Sequence, residues 1–126
     1  MSTKEQKQNV NIEIPVPIIR NNKEFSLIWD SIVERDREGH SDVTFIYFGA
    51  LWCGPCHIWK PSAMKFMRDL QKEKKADCYE IDIDTCPQGA GWCNVKNIPA
   101  IVKFRGKRLM NTWVGESLKT ILSREE

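Results

Sequence analysis

No hydrophobic run in these 126 residues is long enough to cross a bilayer, which as a helix takes about 20 consecutive apolar residues. The stretch from Val10 to Ile19 is apolar, but it is short and broken by Glu13, Pro15 and Pro17. Met1 to Val10 is polar, with two lysines and one glutamate, and has no apolar centre of the kind an ordinary secretory signal needs. Internal repeats and low-complexity segments are absent. So is a nucleotide-binding glycine signature, and any electrons this chain handles must therefore come from elsewhere. Neither sign of charge dominates: the net charge is +2, which points to no class of partner. Basic residues gather from Lys60 to Lys75 and from Lys103 to Arg108, where they read as the solvated faces of a helix and a hairpin. Neither a nucleic-acid partner nor a membrane is expected.

What the sequence does have is five cysteines, two of them in Trp52-Cys53-Gly54-Pro55-Cys56. This pentapeptide directly follows the apolar run from Val43 to Ala50, which reads as a strand. A CxxC at a strand-to-helix junction is the signature of a dithiol/disulfide redox centre. On the first turn of a helix, Cys53 lies among unpaired backbone N–H groups at the positive end of the dipole, a setting that favours its thiolate. Cys56, one turn on, is close enough to attack a mixed disulfide formed by Cys53.

Length allows one domain, and the composition, 41% hydrophobic and 29% charged, is that of an ordinary globular protein. Residues 1–10 read as a flexible tail and residues 11–126 as the folded domain. Ile12 to Ile19 reads as an edge strand, because its prolines cannot donate to a ladder on both sides. Asn21 and Glu24 open a helix carrying Phe25, Ile28, Trp29, Ile32 and Val33 at helical spacing. Val43 to Gly49 suits a strand buried on both faces. A second helix runs from about Gly54 to Lys74, with a kink expected at Pro61. Cys78 to Asp84 reads as a strand and Thr85 to Trp92 as a loop or weak short helix. Ala100 to Phe104 and Lys107 to Trp113 form a hairpin around Gly106, and Glu116 to Ser123 a final helix. The order implies an α/β fold with a central mixed sheet flanked by helices on both faces.

The residues Phe48-x-Ala50-x-Trp52-Cys53-Gly54-Pro55-Cys56 with Pro61, then Asp82-Ile83-Asp84, Val95 to Pro99, Phe104, Gly106 and Gly115, resemble the thioredoxin family in order and spacing. The resemblance covers about Ile14 to Leu122. It implies a thioredoxin fold with a cis peptide bond at Ile98-Pro99 facing the dithiol, a geometry that requires a proline. It also implies protein disulfide reductase activity: Cys53 attacks a disulfide-containing protein substrate and Cys56 resolves the mixed disulfide. Trp52, Gly54, Pro55, Ile83, Ile98, Pro99, Val114 and Gly115 would form the landing surface, with the Ile98 backbone pairing with an extended substrate segment. A thioredoxin reductase-type donor would recharge a monomeric, cytoplasmic protein that holds no cofactor and no metal. Gly-Pro between the cysteines links the pair to reductants, with potentials near about −270 mV. The alternatives are a thiol oxidase or disulfide isomerase in an oxidising compartment or a viral disulfide pathway, and a thioredoxin-fold interaction subunit.

Three features depart from the family or extend it. The family usually keeps a buried aspartate six residues before the first cysteine, and this position is Tyr47, a poor base at neutral pH. The family's lysine partner corresponds to Glu80. Glu80 is therefore the candidate acid–base carboxylate, reached from the adjacent strand, with Tyr47 positioning it or a water. Gly49 stands where an aromatic residue is common. Cys86 and Cys93 resemble a second, regulatory cysteine pair, for which Gly89 and Gly91 would lend the loop freedom. They read alternatively as reduced, semi-buried side chains or as a constant bridge. A four-cysteine zinc site is not expected, since Cys53 and Cys56 open a helix with a proline between them. Cys78, inside a strand, reads as an inert buried thiol.

Overall fold

The computed structural model describes residues 14–123, so the expected tail at residues 1–10 lies outside the described residues, as does the start of the expected first strand. Five strands form one sheet: β1 (Ile18–Ile19), β2 (Val43–Gly49), β3 (Asp77–Asp82), β4 (Ala100–Arg105) and β5 (Arg108–Val114), in the order β1-β3-β2-β4-β5. β1 and β2 run parallel to β3, whereas β4 is antiparallel to both β2 and β5. The sheet is thus mixed, with β1 at one edge. That edge strand is only two residues long, shorter than expected, because Pro15 and Pro17 carry no N–H to give a ladder. The Pro17 carbonyl still accepts from the Glu80 N–H at 2.9 Å, which aligns the segment with β3.

Among the described residues four helices cover the sheet: α1 (Asn22–Arg37), α2 (Gly54–Lys72), α3 (Pro87–Trp92) and α4 (Leu118–Leu122), the last entered through a 3₁₀ turn at Gly115–Ser117. The α1 start follows from its sequence. The Asn21 side chain accepts from the Glu24 N–H, and the Glu24 carboxylate reaches back to the Arg20 N–H at 2.8 Å. β2 shows why the helices divide between two faces. Its side chains alternate, so Phe45 and Tyr47 pack with Ala63, Met67, Leu118 and Ile121 of α2 and α4. Ile46 and Phe48 pack with Phe25 of α1 and with the cysteines at the ends of α3. A sheet apolar on both faces and sandwiched by helices makes two half-cores back to back.

This arrangement places the functional segment. β2 is central and ends at Gly49, and the chain then turns through Ala50 to Trp52 into α2. α2 is helical throughout from Gly54 to Lys72, with Pro61 inside it. Thr85 to Trp92 is ordered more tightly than the sequence indicates. The short α3 is capped by Cys86 and Cys93, and its Gly89 is buried against Ile81 and Phe25. The role of that glycine is close packing, not the loop freedom expected of it.

Candidate active site

The site lies where β2 gives way to α2. Cys53 is the N-cap of α2: its sulfur accepts from the Cys56 N–H at 3.2 Å, and Pro55 occupies the first turn, where no donor is needed. Cys53 and Cys56 are joined in a disulfide, with Cα atoms 5.3 Å apart. In this oxidised form both are buried, Cys53 5% exposed and Cys56 3%. The bond draws both sulfurs in among Ala50, Ile83 and Ile98.

What separates the two cysteines is the space each one faces. Cys53 lines an open groove of about 500 Å³ with Trp52, Gly54, Pro55, Ile83 and Ile98. Cys56 lines a separate small cavity of about 40 Å³, with Tyr47, Lys60, Glu80 and Asp82 among its walls. The Ile98-Pro99 peptide is cis. Its Ile98 lines the groove, while Pro99 is fully buried behind it. Val114 and Gly115, expected on the landing surface, do not line the groove. The Gly115 N–H donates to the Pro99 carbonyl at 2.9 Å, and Val114 is paired with Ala100 next to the cis peptide. Ala90, Val95, Lys96 and Asn97 complete the groove wall; the last three belong to the family segment read in the sequence, without a place on the landing surface, and Ala90 had not been singled out.

Two further residues belong here. Asp84 accepts from the Trp52 indole N–H at 2.8 Å, which fixes a ring that is 68% exposed beside the reactive sulfur. Its signal was present in the Asp82-Ile83-Asp84 segment, but sequence spacing could not show which aspartate meets the indole. His57 is tied through Nε2 to the Leu51 carbonyl at 2.7 Å, clamping the turn before the dithiol onto α2.

The acid–base neighbourhood departs from expectation in one respect. Tyr47 does not position Glu80: its hydroxyl donates to the Cys56 main-chain carbonyl at 3.0 Å. Burial, reinforced by the nearby Glu80 charge, pushes the Tyr47 phenol from 10.0 to about 12, so it is a donor and not a base. Glu80 stands beside Tyr47 in the parallel ladder, on a strand enclosed by β1 and β2 and not on an exposed edge. Its Oε2 meets the Lys60 ammonium at 2.7 Å, and its side chain is 17% exposed.

Cys86 and Cys93 are not bridged to one another. Both are free, buried thiols, held at the ends of α3 against Phe25, Phe48 and Ile81. Burial raises both, Cys93 to about 12, so neither has thiolate character. A constant structural bridge is excluded as the state seen here. Cys78 is likewise buried and raised to about 12 by burial, with the Asp77 charge adding to it. Among the described residues, no cluster of three or more His, Cys, Asp or Glu is placed to hold a metal, and no helix is long and apolar enough to cross a membrane.

Comparison with known proteins places this geometry. The family model described as Thioredoxin matches residues 20–125. A Staphylococcus aureus thioredoxin is 31% identical over 93 residues, covering 71% of this chain and 88% of that protein. Among solved structures, Malassezia sympodialis thioredoxin superposes with a TM-score of 0.67 at 25% identity, covering 90% of this chain and 93% of that one. Thioredoxin O2 from Arabidopsis thaliana in its oxidised state gives a TM-score of 0.63 at 26% identity, with 86% and 91% covered.

Proposed function

This chain belongs to the thioredoxin family and is a thiol–disulfide oxidoreductase acting as a protein disulfide reductase, and from that premise we propose how its residues divide the work. Cys53 is the nucleophile and Cys56 the resolving thiol. The observation that carries this is the separation of their surroundings, with Cys53 on the larger groove and Cys56 on a separate, much smaller cavity. A substrate disulfide reaches the first sulfur, and only a proton needs to leave the second. Capping the α2 N-terminus favours the Cys53 thiolate once the pair is reduced, since the backbone N–H groups and the dipole stabilise negative charge there.

Trp52, Gly54, Pro55, Ile83 and Ile98 form the surface on which an extended, disulfide-bearing segment lies. Pro99, Val114 and Gly115 hold its floor in place. Glu80 takes the proton of the Cys56 thiol: the Tyr47 phenol, at about 12, keeps its own proton, the His57 ring is tied to Leu51, and the Asp82 carboxylate accepts from the Asp84 N–H. Electrons are restored by a separate reductase protein, and the chain works as a monomer whose folded unit spans residues 11–126. Three free buried thiols beside one disulfide suit a reducing compartment such as the cytoplasm.

Reduction of a model disulfide protein tests the assignment. Cys53→Ser abolishes turnover, whereas Cys56→Ser accumulates the mixed disulfide on Cys53. The potential of the pair, equilibrated in glutathione buffers, is expected near about −270 mV, and a value near about −180 mV would instead indicate an oxidase or isomerase.

A further inference from the structure

The cavity beside Cys56 contains a cation that the exchange chemistry does not by itself require. Lys60 and Cys56 lie four residues apart on α2, so one helix turn brings the ammonium and the resolving thiol to the same side. Glu80 approaches from β3, and its Oε2 meets the Lys60 Nζ at 2.7 Å. Both side chains help to wall the cavity onto which Cys56 opens. The other polar side chains around it are engaged elsewhere, Tyr47 with the Cys56 carbonyl, His57 with the Leu51 carbonyl and Asp82 with the Asp84 N–H at 2.8 Å. Lys60 is 45% exposed against 17% for Glu80, so the pair runs from the cavity wall to solvent.

We propose that Lys60 is the positioning residue of the resolving step, holding Glu80 by one carboxylate oxygen so that the other can take the Cys56 proton. The inference rests on the reading of Glu80 as the base. A carboxylate on a flexible stem has several rotamers, and each fixed contact removes some of the freedom that proton transfer would otherwise have to overcome. A cavity of about 40 Å³ is also wide enough to admit a water between thiol and carboxylate, since one needs roughly 10–15 Å³ of this volume.

The step balances as follows. The Cys53 thiolate attacks the substrate disulfide, forming the Cys53–substrate S–S bond and releasing the first substrate sulfur as thiolate. The Cys56 thiol then gives its proton to Glu80, and its sulfur attacks Cys53. The Cys53–Cys56 bond forms, the Cys53–substrate bond breaks, and the second substrate thiolate departs. Two cysteine sulfurs are oxidised and the substrate disulfide is reduced by the same electron pair. Glu80 passes its proton to solvent along the exposed side, past Lys60.

Stopped-flow reaction of the reduced protein with 5,5′-dithiobis(2-nitrobenzoate) separates the two steps, because attack releases one coloured thiolate and resolution the other. Glu80→Gln is expected to slow the second phase by roughly 100-fold, the usual scale of general base catalysis. Lys60→Met is expected to slow that phase roughly tenfold, as loss of positioning does, with the effect falling on release and not on attack. Lys60→Arg, which keeps a cation able to pair with a carboxylate, restores most of the rate. Adding Lys60→Met to Glu80→Gln gives no further loss, because Lys60 acts through that carboxylate. If Glu80→Gln slows the second phase but Lys60→Met leaves it intact, or slows it equally in the Glu80→Gln background, the role of Lys60 is overturned while the base stands. A normal second phase in Glu80→Gln overturns the base, and the positioning role with it.

Discussion

The Tyr47 hydroxyl donates to the main-chain carbonyl of Cys56 at 3.0 Å, from a ring that is 1% exposed. A strand side chain thereby grips the first turn of the helix that carries the dithiol. Gly49 makes room for this ring, since a Cβ at that position would stand 3.2 Å from Tyr47 Cε2 and 3.5 Å from the Cys56 sulfur. The absence of an aromatic residue at Gly49 and the presence of one at Tyr47 are two aspects of a single packing solution. Tyr47→Phe should therefore keep the packing but lose the bond, lowering stability by about 1 kcal/mol in urea denaturation of the oxidised protein. The phenol titrates from 10.0 in the unfolded chain to about 12 in the fold. Its contribution is thus present below pH 10 and is lost as pH rises through about 12, and Tyr47→Phe should flatten that part of the stability curve.

The thiols of Cys78 and Cys93 extend this alkaline limb to lower pH. Both are raised from 9.0 to about 12 by burial, so the unfolded chain loses its thiol protons first and folding becomes less favourable above pH 9. Below pH 9 they contribute no slope. Their protection is directly measurable. With the Cys53–Cys56 bond intact, iodoacetamide at pH 8 should add nothing to the folded protein, and three carbamidomethyl groups after denaturation, at Cys78, Cys86 and Cys93. Rapid labelling of Cys86 and Cys93 in the native state would show that α3 opens far more readily than its packing implies.

Gly89 and Gly91 offer a paired test of that packing. A Cβ on Gly89 would lie 2.8 Å from Ile81 Cδ1 and 3.3 Å from both Phe25 Cδ1 and the Cys86 sulfur. Gly89→Ala should cost about 1–3 kcal/mol through overpacking. Gly91, on the same short helix, has nothing within 4 Å of its would-be Cβ, so Gly91→Ala should be neutral or stabilise by up to about 1 kcal/mol. Thermal melts of the two variants decide it, and equal losses would mean that the helix and not the contact is being disturbed.

Asp84 should influence recognition more than stability. Asp84→Ala frees the Trp52 indole, whose N–H loses its 2.8 Å partner, while the exposed ring costs the fold little. Turnover of a protein disulfide is expected to fall about three- to tenfold, as loss of one ordering bond to a charged group implies, with a change in Trp52 fluorescence. The small aryl disulfide, which needs no landing surface, should react at nearly the original rate.

The sequence made much of this legible because its signals were local. The β2 boundaries follow from an apolar run, the α1 cap from Asn21 and Glu24, and the redox pair from five consecutive residues. Signals that depend on tertiary placement were read less well. Val114 and Gly115 lie near the site in family order but do not line the groove; they are joined to its cis-proline segment through the β4–β5 ladder and the Pro99 carbonyl. Tyr47 was paired with Glu80 on strand adjacency, whereas its hydroxyl extends beyond that neighbour to the helix carbonyl. The strand of Ile18–Ile19 shrank because prolines limit a ladder more severely than apolar content extends it. Lys60, four residues along the helix from Cys56, reads from the sequence as a charge that either makes the dithiol neighbourhood electropositive or faces solvent. Its partner lies on a strand twenty residues away, a distance that no periodicity spans.

The two cysteines open onto different sides of one strand-to-helix junction, and this bears on how large a partner can be. On the proposed reading, a protein docked on the groove covers Cys53, Trp52 and Ile98, whereas Lys60 lines a separate cavity and is 45% exposed. Traffic of hydrogen ions therefore does not have to wait for the complex to come apart. The width of the footprint and the speed of turnover can vary independently, and a bulky client need be no slower to discharge than a short peptide.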